Sequence, residues 1–346
     1  MLRSARGSLA GMCLWLAVWA GPAVAQEATP EDEVINAIRQ RTDIGESDQR
    51  RIADWVEDGV NKFAGFAAFT GRFKTQHDNS ANSQQFRVQL AVQTSQVTVR
   101  QFAKPDLNGE LAHALAYVLV SMDKAETVTA LVAGLQSSDA RARYTCAKGL
   151  AAQRTSIAGD KGRLDQVVPA LRQAALAESS PVVLGRIYEA LAYAGQGESV
   201  FNVFMAIFDK RLTERRGEAV IADGAEVYAY EFFRSSAVLG SLDATQKSQL
   251  VSRLAVFLRV DAQRYGQPNL RFDEIDKIER TLDAVEEIFA TLVGTGGGKI
   301  RDVLQAAGYD DRASVLKEAY RWVGNPETKE AGPLNEAPWN VPVGAL

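Results

Sequence analysis

A glycine run ending in lysine, TGGGKI over 295–300, is the stretch of this sequence that most invites a phosphate-binding reading. A phosphate loop needs a glycine five residues before its Gly-Lys pair and a Ser or Thr directly after it. Backbone N–H groups then cradle the anion while the hydroxyl holds a metal. Here Val293 holds the first place and Ile300 the last, and the stretch follows a helical pattern rather than a strand. The glycines read as a helix stop. The metal chemistry is equally thin, because the chain has only 2 histidines. His77 lies in a polar stretch, and His113 has Glu110 one helical turn before it, half of a ligand pair. No second histidine completes a structural or catalytic zinc site, so we expect no metal and no cofactor. Cys146 falls at an apolar helix position and reads as a small core side chain, since a nucleophile needs a base and access. No serine stands in a nucleophile-elbow pattern. Acids are numerous, 43 Asp and Glu in all, but scattered carboxylates on helical faces are not general acid–base pairs. We therefore expect a non-enzymatic protein.

The ends of the chain point outward from the cytoplasm. Arg3 and Arg6 precede an apolar run from Leu9 to Trp19, and small residues at Ala23 and Ala25 precede Gln26. That is the layout of a secretory signal peptide over residues 1–25, with cleavage after Ala25. The run is too short for a confident membrane span, which needs about 20 residues. The expected location is periplasmic or secreted, and no membrane span is expected in the mature chain. Loss of Arg3 and Arg6 takes the formal charge from −4 to −6, an acidic balance without an electrostatic footprint for nucleic acid. Cys146 is then the sole cysteine, so no internal disulfide is expected, and the chain is long enough to bury a core without one.

Residues 26–104 read as an N-terminal helical region. Thr29 and Pro30 mark a helix start, followed by an apolar stripe at Val34, Ile35 and Ile38. A second helix opens at Ser47, with Ile52, Trp55, Val56 and Val60 on one face. Phe63, Phe66, Phe69 and Phe73 form a packing stripe, and 77–85 is a polar loop. Phe86, Val88, Leu90 and Val92 then alternate, which leaves a small β-hairpin and an irregular helix both open over 86–100. From Pro105 the apolar stripes are broken only by short polar turns, the pattern of an all-α array of hairpins. Residues 273–292 carry a heptad-like seam, Ile275, Ile278, Leu282, Val285, Phe289 and Leu292, with an acidic face opposite that reads as solvated. The Pro-rich stretch 325–346 cannot continue a helix. It reads as an extended tail anchored by Trp339.

The hairpins repeat. Ala142, Cys146, Gly149 and Leu150 stand 41 positions before Val183, Ile187, Ala190 and Leu191, and each set follows a polar turn, SSDA or ESSP. A period near 40 with a pair of helices per unit is the HEAT and armadillo range. The stretch ALVAGLQSSDARARYTCAKGL resembles a HEAT repeat, with Asp139 at the turn-acid position and Arg143 at the basic position opening the second helix. The next unit departs from that pattern by placing Leu184 where the arginine should be. The resemblance implies an α-solenoid of HEAT-like helical hairpins over 105–240, followed by C-terminal hairpins over 241–324. It also implies binding of another macromolecule, a protein partner in the cell envelope, in the groove lined by second helices. On helical wheels the residues facing away from the core are Arg141, Tyr144 and Lys148 in one unit and Arg186, Glu189 and Tyr193 in the next. Tyrosine and arginine are types that dominate interface energies. The alternative is an α/α toroid acting on extracytoplasmic glycans. It would want a cleft rich in Trp and Tyr, whereas Trp55, Trp322 and Trp339 are far apart in the sequence.

Overall fold

A computed structural model describes residues 30–195, 197–215, 223–267, 269–294, 300–306, 312–325 and 327–343. The expected signal peptide, Thr29, the glycine run 295–299 and the turns at 216–219 and 308–311 lie outside the described residues. The described residues hold seventeen α-helices and no strand, and helix makes up 77% of them, as the hairpin pattern predicts. In chain order they are α1 (Pro30–Ile38), α2 (Glu46–Asn61), α3 (Phe66–Asp78), α4 (Gln84–Phe102), α5 (Gly109–Met122) and α6 (Val128–Gly134). Then come α7 (Ala140–Ala152), α8 (Arg154–Ala158), α9 (Lys161–Ala177), α10 (Pro181–Ala194), α11 (Glu198–Arg215) and α12 (Val227–Phe233). The last are α13 (Ser236–Ser241), α14 (Ala244–Tyr265), α15 (Phe272–Val293), α16 (Ile300–Ala306) and α17 (Arg312–Val323). Among the described residues no helix is long and apolar enough to cross a membrane.

Side-chain caps fix where several of these helices begin. Ser83, Asn108, Asp139, Asp160 and Asp243 each accept a backbone N–H in the first turn of the helix they precede. Each such cap is worth about 1 kcal/mol. The helices then pack in two rows. In one, α4, α6, α9, α11, α14 and α17 each lie against the next; in the other, α3, α5, α7, α10, α12 and α15 do the same. The hairpin partners α4–α5, α6–α7, α9–α10 and α14–α15 tie the rows together. A long core of buried side chains runs continuously from Ala112 to Val341, and a smaller N-terminal cluster runs from Ile35 to Met122. Helix α5 serves both, with Leu115 and Val118 in the N-terminal cluster and Ala116 and Leu119 in the long core.

The β-hairpin alternative over 86–100 does not hold: those residues form the interior of α4. The alternation at Phe86, Val88, Leu90 and Val92 misleads because α4 is enclosed on several sides, by α2, α5 and α6. Its buried set therefore includes Gln93, Thr94, Ser95 and Thr98, and the helical period of the apolar residues is blurred. Two smaller expectations also change. Val34 faces outward, 40% exposed, while Ile35 and Ile38 are buried. The acidic face of α15 is not wholly solvated. Glu286 is buried and accepts the Trp322 indole N–H (2.9 Å) and the Ile300 backbone N–H (2.8 Å). Glu274 is buried too, paired with Arg264 at 3.1 Å.

The repeat positions occupy equivalent places. Ala142, Cys146, Leu150, Val183, Ile187, Ala190 and Leu191 are all buried. Arg143 reaches from α7 to the next turn, donating to Glu178 at 2.7 and 3.0 Å and to the carbonyls of Ser137 and Ser138. One arginine thus joins the turn before α7 to the turn before α10. Glu178 also accepts the N–H groups of Ser179 and Ser180. Burial pushes its carboxyl up, but Arg143 and these N–H groups together outweigh it and hold the pKa below the usual range. Gly149 is where α5 and α7 come close. A Cβ there would stand 2.6 Å from the Val120 Cγ2 and 3.0 Å from the Leu131 Cδ2. Gly149→Val is expected to lower stability by roughly 1–3 kcal/mol through overpacking. Gly71→Ala on α3, where a Cβ meets nothing within 4 Å, is expected to raise stability by about 0.5–1 kcal/mol. Urea titration of both variants checks the pair.

Over its described residues the tail partly turns back. After Gly324, at φ 78°, the Asn335 side chain donates to the carbonyls of Val323 (3.1 Å) and Val341 (2.7 Å) and accepts the Gly332 N–H. Leu334 and Val341 are buried, and Trp339 packs half-buried on the long core.

Candidate functional site

Steps of three and four place Tyr144 and Lys148 on one face of α7, and Arg186, Glu189 and Tyr193 on one face of α10. Because α7 packs on α10, those faces adjoin. Arg186 is the link. Its Nε donates to the Tyr144 hydroxyl at 3.1 Å and its Nη1 to Glu189 at 2.6 Å. The guanidinium lies 5.3 Å from the Tyr144 ring centroid and 5.4 Å from that of Tyr228 on α12. Bonding to Glu189, then to Tyr144, holds the guanidinium pKa above its ordinary value, so its charge is permanent. Gly185 permits the approach to α12, since a Cβ there would already touch the Tyr228 ring at 3.0 Å.

The other expected residues surround this link without joining it. Tyr193 is 41% exposed and lies under the guanidinium of Arg154, 5.0 Å from ring centroid to Cζ. Lys148 is exposed and makes no ion pair among the described residues. Arg141 is exposed and folds back onto its own cap, bonding Asp139 at 2.8 Å. The wheels miss Tyr228 and Arg154. A signal for Tyr228 is present in the spacing: Arg186 follows Tyr144 by 42 positions and Tyr228 follows Arg186 by the same step. The row continues on α5 with Tyr117, 42% exposed, edge-on to Phe66 at 5.4 Å.

His113 and Glu110 do not form a ligand pair. The His113 ring packs on Phe66 at 4.9 Å, and Glu110 accepts the Phe66 backbone N–H at 3.0 Å, so both fasten α3 to α5. Burial, then the Arg141 charge, hold the imidazole below its usual pKa. Among the described residues no group of three His, Cys, Asp or Glu side chains could hold a metal ion. Cys146 is fully buried, and burial pushes its thiol far above the reactive range. Trp55 and Trp322 are buried, 1% and 5% exposed, in the N-terminal cluster and the long core respectively.

A second concentration of charge lies inside the fold, unforeseen in the sequence. Arg215 on α11 donates to Asp261 on α14 (2.7 Å) and to Glu226 before α12 (2.8 Å). Arg211, one turn earlier, donates to Glu226 (2.6 Å) and Asp223 (2.6 Å). The Arg215, Glu226 and Asp261 side chains are 4%, 0% and 1% exposed. Burial pushes the Asp261 carboxyl up to about 6 despite Arg215. Burial also acts on Glu226, but there the two arginines outweigh it and hold the carboxyl below its usual range. The arrangement joins α11, α14 and the segment that leads into α12.

No protein-family model, no curated protein and no solved structure matches this chain. Its functional reading rests on its own residues.

Proposed function

We propose that this protein is an exported, non-enzymatic binding scaffold of the cell envelope, built as an α-solenoid of HEAT-like hairpins. Its partner docks on the row of second helices, α5, α7, α10 and α12. Support for the solenoid comes from the 41-residue correspondence, the pairing of each helix with the next in its own row, and the Arg143 bridge between successive turns. The observation that carries the binding face is the Tyr144–Arg186–Tyr228 ladder, which holds one arginine between tyrosines of adjacent helices. A rigid, half-exposed arginine between aromatic rings loses little side-chain freedom on docking and is the type that concentrates binding energy. The signal-peptide layout of residues 1–25 supports export.

The test is recovery of partners from solubilised envelope extract by the tagged protein and by Tyr144→Ala/Arg186→Ala. The double variant is expected to lose at least ten-fold in recovery of the partner. Stability should fall by about 2–3 kcal/mol, since Tyr144 packs partly buried on the long core and Arg186 loses a half-buried ion pair and cation–π contacts worth about 0.5–1 kcal/mol each. Undiminished recovery with an intact fold would remove the face from the proposal.

A further inference from the structure

Resting on that binding face, we infer that its partner is an acidic polypeptide segment, bound in extended form along the row from α5 to α12 with its carboxylates on Lys148 of α7 and Arg154 of α8. Charge carries the argument. The chain as a whole is acidic, with a formal charge of −4, yet this stretch of its surface is not. Between the start of α7 and the end of α10 this face holds the cations Arg141, Lys148, Arg154 and the half-buried Arg186 against the carboxylates Asp139, Asp160 and Glu189, with Asp123 at the end of α5 beside them. These carboxylates are already engaged, Asp139 by Arg141 and the N-terminal N–H groups of α7, Glu189 by Arg186, Asp160 by Arg163 and Asp123 by the Gln153 amide. The nearby Glu178 is taken up by Arg143. Lys148 and Arg154 are left exposed with no carboxylate in ion-pair range among the described residues. Arg154 instead covers the exposed ring of Tyr193. At the ends of the row, Glu110 and Glu231 do not oppose an acidic ligand at the centre: Glu110 caps Phe66 and Glu231 pairs with Arg234 at 2.8 Å.

Shape selects a chain over a small anion. The uncommitted cations and the tyrosines Tyr117, Tyr144, Tyr193 and Tyr228 spread over successive helices instead of converging on a pocket. Packed helices stand about 8–10 Å apart, so the row from α5 to α12 extends roughly 25–30 Å. That is the length of about eight extended residues. Alternating acidic and apolar side chains on such a segment would meet lysine or arginine and tyrosine in turn. An acidic partner also explains why Lys148 and Arg154 remain unpaired on a chain so rich in acids: they would hold charge for encounter, an effect weakened by salt.

The test selects random displayed twelve-residue peptides on protein purified from cells expressing the full chain, and repeats the selection on Lys148→Glu/Arg154→Glu. Both substituted side chains are exposed and outside any ion pair among the described residues, so the fold should survive, as circular dichroism will show. The expected result is enrichment of Asp and Glu with interspersed aromatics. A synthetic peptide from that pool should bind at least ten-fold more weakly to the charge-reversed variant, and more weakly in 300 mM than in 50 mM salt. Enriched peptides without an acidic excess, sensitive to Tyr144→Ala/Arg186→Ala alone, would overturn the acidic partner and leave the binding face standing. Peptides insensitive to both pairs, or none enriched, would overturn both. Retention on immobilised polygalacturonate, lost in the charge-reversed variant, with no acidic peptide selected, would overturn the inference in favour of an anionic polysaccharide.

Discussion

Arg215→Met is expected to lower stability by roughly 3–5 kcal/mol at pH 7.5, while Asp261→Asn leaves it no lower than in the parent protein. The asymmetry follows from the charge count inside the fold. The cluster holds the guanidiniums of Arg211 and Arg215 against the carboxylates of Asp223, Glu226 and Asp261, one negative charge in excess. Removing Arg215 strands Asp261 without a donor and leaves Glu226 with Arg211 alone, all in low dielectric. Breaking a buried pair from one side costs about this much because the surviving charge is uncompensated. In Asp261→Asn the new amide oxygen would still accept from Arg215, and the loss of one carboxylate would bring the charges into balance. Asp261 already leans that way, since one of its oxygens is buried without a partner and its carboxyl is pushed up to about 6.

The pH dependence has a defined sign. A carboxyl raised above its unfolded value contributes stability that is complete below the ordinary Asp value of 3.8 and is lost as pH rises through about 6. Glu226, held low, works the other way: its contribution is present above the ordinary 4.5 and is lost as pH falls through its folded value. Asp261→Asn abolishes the first effect alone. Its melting temperature should therefore gain on that of the parent between pH 4 and pH 7. The deficit of Arg215→Met should shrink over the same interval in reverse, as the stranded carboxylates take up protons on acidification. Melting curves at pH 5 and 7.5 decide it; a loss under about 1 kcal/mol for Arg215→Met at pH 7.5 would show that the cluster is not a keystone.

Phe208→Ala should cost about 3–5 kcal/mol, the usual range for truncating a buried aromatic side chain. Phe208 on α11 is fully buried at the meeting point of four helices. Its ring centroid lies 6.1 Å from Tyr188 on α10, 6.0 Å from Tyr230 on α12 and 5.4 Å from Phe257 on α14, with Phe204 and Phe233 at 6.4 and 6.3 Å. A methyl group there leaves a cavity bounded by rings, which only the movement of whole helices could close. Phe208→Leu retains most of the volume and is expected to lose less than about 1.5 kcal/mol. Equal losses for the two variants in urea unfolding would mean that the site collapses freely and that the aromatic cluster is not close-packed.

The all-helical class and the helix starts at several turns were legible in the residues themselves, because each rests on local chemistry. Asp139 caps α7 whatever packs above it, and Ala142, Cys146, Gly149 and Leu150 share one face by the helical period alone. Of the positions that the helical period turns outward, Lys148 and Tyr193 are exposed, whereas Arg186 and Glu189 are half-buried and Tyr144 packs partly on the long core. Only the tertiary structure decided which of them meet. Arg186 could be placed on a face from its spacing, but its choice of Tyr144, Glu189 and Tyr228 depends on how α7, α10 and α12 pack. The α4 segment resisted reading for the same reason: a helix enclosed on several sides buries threonines along with valines, and no single apolar stripe survives. The internal cluster was wholly hidden in the chain, since Arg215 and Asp261 stand 46 positions apart. Their charges read as solvent-facing until three helices close around them, and burial, a property of the assembled fold, gives them their chemistry.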